Sequence, residues 1–124
     1  MNRNDSLWLS LLVATVLLFW LPVLQFHPSL AHRGGDFGRD LYAFWITFQG
    51  GRACQDFTWL YGPLMPLYYA FWFLLGGVNL ISVRVGVMIN YLFCCLLAYG
   101  TLRVFVSPAI AFLASLFFLS FHIG

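Results

Sequence analysis

Polar and apolar positions fall in blocks along this chain. Leu7 to Gln25 is free of charge, close to the roughly 20 apolar residues that a membrane-spanning helix needs. A polar stretch follows from Phe26 to Tyr61. Phe57 to Val83 is again without charge, densest from Pro63 to Val78, with Pro63 suited to a first helical turn and Gly76 with Gly77 to a stop. Val85 to Leu102 is a third charge-free run, bounded by Arg84 and Arg103. Ser107 and Pro108 separate it from a fourth that runs from Ile110 to the end. The pattern predicts an all-α integral membrane protein with three to four transmembrane helices, at about 7–25, 62–79, 85–102 and 106–123.

Within the polar stretch the period changes to that of an amphipathic helix over Asp36 to Gln49. At 100° per residue Phe37, Leu41, Phe44, Trp45 and Phe48 share one side, and Asp36, Arg39, Asp40, Ala43 and Thr47 the other. The aromatic side suits the headgroup boundary, so the helix is expected to lie along the membrane surface beside the first span.

Composition supports the bilayer as solvent. Of 124 residues 62% are hydrophobic and 8% charged, against roughly 25% charged in an ordinary soluble domain. The six arginines are scattered, and three share the loop with three of the four aspartates. No dense basic stripe follows a phosphate backbone, so nucleic-acid binding does not fit. Cys54, Cys94 and Cys95 are odd in number and lack ligand-like spacing, which indicates neither a disulfide framework nor a zinc site. His27, His32 and Asp36 match a metal-ligand set only loosely, and the histidines read as surface polar residues. His122 stands alone near the end. Neither a metal nor a cofactor is called for, and divalent-metal dependence stays open.

The candidate chemistry lies on the polar side of the loop helix. Asp36, Arg39 and Asp40 are three and four residues apart, so they share a face that small residues continue, where a bulky polar group can approach. A carboxylate beside a guanidinium is favoured in its ionised form, in which it can accept a proton. The same spacing also serves structure alone, with Asp36 as a helix cap and Arg39 and Asp40 as a local ion pair. Arginine counting leaves the membrane orientation undecided.

The stretches GGDFGRDLYAFWITFQGG and CQDFTWLYGPLMPLYYAFWFLLGG together resemble the polyprenyl-phosphate-sugar-dependent membrane glycosyltransferases of the GT-C fold, such as the protein O-mannosyltransferase-like and aminoarabinose-transferase-like enzymes. In that family one span precedes an extracytoplasmic loop that opens with an essential Asp on a juxtamembrane helix. A Gly follows about fifteen residues on, and then an aromatic stretch leads into the second span. By this resemblance Asp36 is the general base, with Gly50 and Gly51 at the family's glycine, Asp40 is the reserve candidate, and Arg39 is placed to steady the donor phosphate. Phe37 stands where many members have Glu, and Gly62 where many have Pro. The resemblance implies a polyprenyl-phosphate-linked sugar donor, an acceptor outside the cytoplasm, and a bacterial plasma membrane location with loop 26–61 outside. Members are several times longer, and this chain ends in or just past an apolar run, so it reads as the front part of such an enzyme. A small non-catalytic membrane subunit or scaffold protein is the rival reading. A transporter fragment fits less well, because no ionisable residue but His122 lies within the expected spans.

Overall fold

The computed structural model describes residues 3–26 and 34–120, which form five helices and no strand. They are α1 (Arg3–Phe26), α2 (Gly34–Phe48), α3 (Leu64–Gly76), α4 (Leu80–Leu102) and α5 (Pro108–Ser120). Two helices are long and apolar enough to cross a membrane, α1 over Asp5–Pro22 and α4 over Leu80–Leu102. α3 has 13 residues, or about 20 Å at 1.5 Å per residue, short of a hydrocarbon core of about 30 Å. The second expected span is therefore shorter as a helix than the charge-free run that suggested it, while α5 reaches the last described residue, Ser120.

The chain divides into two compact units, one of residues up to Pro22 with those from Val87 onward, the other Val23–Gly86. In the first unit Leu12 and Val16 of α1, Cys95 and Tyr99 of α4, and Ala111 and Ser115 of α5 are buried. Trp8 meets Phe112 at 5.3 Å between ring centroids, and Trp20 meets Tyr91 at 5.5 Å. Cys95 behaves as the small apolar residue expected of it, fully buried with its thiol 3.6 Å from the Ser115 carbonyl oxygen. Arg103, just beyond α4, donates from Nε to Asp5 Oδ1 at 2.8 Å and from Nη1 to the Val106 carbonyl at 3.3 Å. The hydrogen bond to the Asp5 carboxylate holds the guanidinium above its ordinary pKa.

In the second unit α2 and α3 pack together through aromatic side chains. Phe44 stacks on Tyr69 at 4.3 Å and meets Trp59 edge-on at 6.3 Å, while Phe48 stands edge-on to Phe73 at 6.1 Å. The aromatic side of α2 is thus largely spent on α3 and the loop. Tyr42 and Trp45 remain exposed from it.

The junction between α3 and α4 departs from the expected break at Arg84. The backbone N–H of Gly77 bonds back to the Phe73 carbonyl and closes α3, and α4 begins already at Leu80. Asn79 connects the two ends: its Nδ2 donates to the Gly76 carbonyl at 2.7 Å, and its Oδ1 accepts from the Ser82 N–H at 2.8 Å, as an N-cap side chain does. Arg84 consequently lies inside α4, 8% exposed, where its Nη1 donates to the Leu24 carbonyl at 3.2 Å. The last carbonyls of a helix lack partners within it, and Arg84 supplies one for the end of α1. Two residues further on, Gly86 lets α3 come close: a Cβ there would lie 2.6 Å from Trp72 Cδ1, and Tyr68 donates its hydroxyl to the Gly86 carbonyl at 2.6 Å.

Candidate functional site

α2 is a short helix whose first turn carries Asp36. Isolated helices of its length are marginal in water, so its place depends on the aromatic contacts with Tyr69, Trp59 and Phe73. Asp36 falls inside the helix that starts at Gly34, not at the residue before it, so a capping role of the ordinary kind is replaced by a position where the positive end of the helix dipole favours a carboxylate. The Asp36 side chain, His27, His32 and His122 lie outside the described residues. Among the described residues no group of His, Cys, Asp and Glu has a metal-binding arrangement.

Arg39 and Asp40 are brought together. Arg39 Nε and Nη2 donate to Asp40 Oδ1 at 3.3 and 3.2 Å, with the two side chains 39% and 22% exposed. Sequential residues on a helix do not ordinarily face each other, and the loop residues that flank the guanidinium give this pair its setting. The Arg39 Cζ lies 5.8 Å from the centroid of the Trp59 ring and 5.5 Å from that of Tyr61, within the reach of cation–π attraction. Trp59 and Tyr61 are themselves edge-on at 5.6 Å.

These two aromatic residues are the part of the site that helical spacing missed. They come from the segment after α2, some twenty residues along the chain from Arg39, and the only sign of them in the sequence was the aromatic run TWLYG before Pro63. Their return is set by a tight turn. Gly50 takes a φ of 96°, which glycine adopts without steric cost, and the Gly51 N–H bonds to the Ile46 carbonyl at 3.0 Å. The carboxylate of Asp56 then accepts the Arg52 backbone N–H at 2.7 Å, and the Cys54 N–H bonds to the Phe57 carbonyl at 3.0 Å. Cys54 has a φ of 66°, unusual for a residue with a side chain, and its thiol donates to the Trp59 carbonyl at 3.3 Å.

The polar side of α2 is less open than the wheel suggested. Ala43, expected to continue it as a surface beside a substrate, is 1% exposed. Around Asp40, Arg39 and the exposed ring of Tyr61 the first turns stay approachable. Compared with protein-family models, with curated proteins and with solved structures, the chain matches none of them.

Proposed function

We propose that this chain is the amino-terminal part of an integral membrane glycosyltransferase of the GT-C kind, with Asp36 as general base. It transfers a sugar from a polyprenyl-phosphate-linked donor to an acceptor outside the cytoplasm. The protein sits in a bacterial plasma membrane with loop 26–61 on the outer side and the bilayer around its apolar helices. The observation that carries this reading is the paired acid and guanidinium on the first turns of a loop helix, walled by aromatic rings that return from the far side of the loop. It stands between a long apolar helix and an aromatic segment leading through Pro63 into α3.

In the reaction the acceptor oxygen or nitrogen attacks the anomeric carbon, its proton passes to the Asp36 carboxylate, and the lipid phosphate leaves from the opposite face with inversion. A positioned base contributes about 10² to 10⁴-fold to such a step. Arg39 engages Asp40 Oδ1, an ion pair that supports keeping Asp40 as the reserve candidate and Asp36 as the base. The same guanidinium, partly exposed, is the group that meets the donor phosphate. The test is transfer of labelled sugar from a polyprenyl-phosphate donor by membranes holding the full-length protein. Transfer no greater than that of membranes lacking the protein removes the reading.

A non-catalytic membrane subunit is the second reading, favoured by a cleft of about 330 Å³ lined by Tyr42, Trp45, Phe73 and Leu80, an apolar surface that suits a partner helix. Normal transfer in cells deleted for this chain, together with loss of a co-purifying membrane protein when Trp45 is replaced by Ala, supports it over the enzyme.

A further inference from the structure

A second pocket lies at the other end of α2, where Thr47, Arg52, Gln55, Pro63 and Leu67 enclose about 250 Å³. Thr47 is eight residues beyond Arg39, or about 12 Å along the helix axis, so this pocket is separate from the acid and guanidinium pair. Its volume far exceeds the roughly 30 Å³ that one water occupies and falls just below the roughly 300 to 1,000 Å³ of drug-sized sites. It has room for a headgroup-sized ligand.

Of the six buried side-chain polar atoms without a hydrogen-bond partner among the described residues, the one on this pocket's lining is Thr47 Oγ1. Ser10, Thr15, Thr101 and Ser115 all donate their hydroxyls to the carbonyl four residues earlier in their helices, at 2.7 to 2.9 Å, the usual refuge of a hydroxyl in an apolar helix. Thr47 does not. Its Oγ1 is buried and has no hydrogen-bond partner among the described residues, a state that buried polar atoms seldom keep. Beside it Arg52 is exposed and enters no ion pair among the described residues. Asp56, the nearest acid in the chain, turns its Oδ2 to the Arg52 backbone N–H.

The ends of two helices meet the same pocket. α2 finishes there, and the negative end of its dipole opposes an anion. α3 begins there at Pro63 without a side-chain cap, and its positive end attracts one. These opposed effects are of similar size, and the Asp56 carboxylate is engaged by the Arg52 backbone N–H, so an anion in the pocket depends on the Arg52 guanidinium. Pro63 and Leu67 give the pocket an apolar wall on the side of α3.

We propose that this pocket binds a phosphate group, held by the Arg52 guanidinium and the Thr47 hydroxyl, with the Gln55 amide as a third donor. Planar guanidinium groups suit phosphate oxygens. The site stands whether or not the chain is a glycosyltransferase. The phosphate belongs either to a membrane lipid, whose apolar part follows Pro63 and Leu67, or to a free phosphate ester.

Two arms distinguish these sources. Calorimetric titration of the purified protein in uncharged detergent with inorganic phosphate reads the free anion. Native mass spectrometry of protein taken from nanodiscs of phosphatidylglycerol reads the lipid. Saturable binding in either arm that Arg52→Gln weakens at least tenfold, and Thr47→Val severalfold, supports the site, and the arm that responds names the source. Helical circular dichroism of Arg52→Gln is expected to match the unsubstituted protein because the side chain is exposed, so this variant decides even if Thr47→Val fails to fold. Binding in neither arm, or binding that Arg52→Gln leaves unchanged, overturns the proposal.

Discussion

Phe44→Ala is expected to release α2 from the second unit. Phe44 is 2% exposed, and its ring contacts Tyr69 and Trp59, the one on α3 and the other on the segment that covers Arg39. Truncating a buried Phe to Ala costs about 3–5 kcal/mol, including the cavity it leaves. With about 1.4 kcal/mol per factor of ten, the closed state of α2 falls roughly 10² to 4 × 10³-fold relative to its open state. The assay is hydrogen exchange in detergent micelles, read at the amides from Leu41 to Phe48. Their protection drops by that factor, whereas the amides of α4 from Val87 to Leu102, in the other unit, keep theirs. Tyr69→Ala on its own lowers α2 protection too. The double variant loses less than the sum of the two, since a stacked aromatic pair is worth about 0.5–1.5 kcal/mol beyond its buried area. Unchanged protection in Phe44→Ala, or strictly additive losses, would show that the membrane surface and not α3 holds α2, as the amphipathic pattern alone suggested.

Arg84→Gln leaves the Leu24 carbonyl without its charged donor and lowers stability by about 1.5–3 kcal/mol, seen as a lower Tm in detergent; an unchanged Tm would mean the contact does not hold the end of α1. Gly86→Val brings a side chain against Trp72 and costs about 1–3 kcal/mol by overpacking, whereas Gly100→Ala, which meets nothing within 4 Å, is neutral or gains about 0.5–1 kcal/mol of helix propensity. A reporter that is active only in the cytoplasm, fused after Gly51, is expected to be silent, and its activity would invert the proposed topology.

The helices that follow the chain's own periodicity were the most legible. α1 and α2 begin and end within a few residues of the runs that suggested them, because a charge-free run and a two-sided wheel each report local geometry. The Gly76–Gly77 stop was legible for the same reason. Arg84 misled because a charge beside an apolar run ordinarily marks the end of a span. Here the guanidinium donates from Nη1 to the carbonyl of Leu24, 60 residues away, and α4 runs straight through it. The short length of α3 was hidden because absence of charge says nothing of where the helical hydrogen bonds stop. In the candidate site the ion pair of Arg39 and Asp40 was expected from their neighbouring charges, although helical spacing does not ordinarily bring sequential residues together. Trp59 and Tyr61 could not, since their approach depends on the turn through Gly50 and Cys54, a path that no helical wheel contains.

The central claim is that Asp36 takes the acceptor's proton. Asn keeps the size of Asp and can still occupy a first helical turn, but its amide is not a base at neutral pH. Sugar transfer from a polyprenyl-phosphate donor would be compared in membranes holding equal amounts of the full-length protein, its Asp36→Asn variant and its Asp40→Asn variant. Asp36→Asn is expected to lower transfer by about 10² to 10⁴-fold at unchanged abundance, with a milder loss for Asp40→Asn. Near-normal transfer by Asp36→Asn, or a deeper loss in Asp40→Asn, would contradict it.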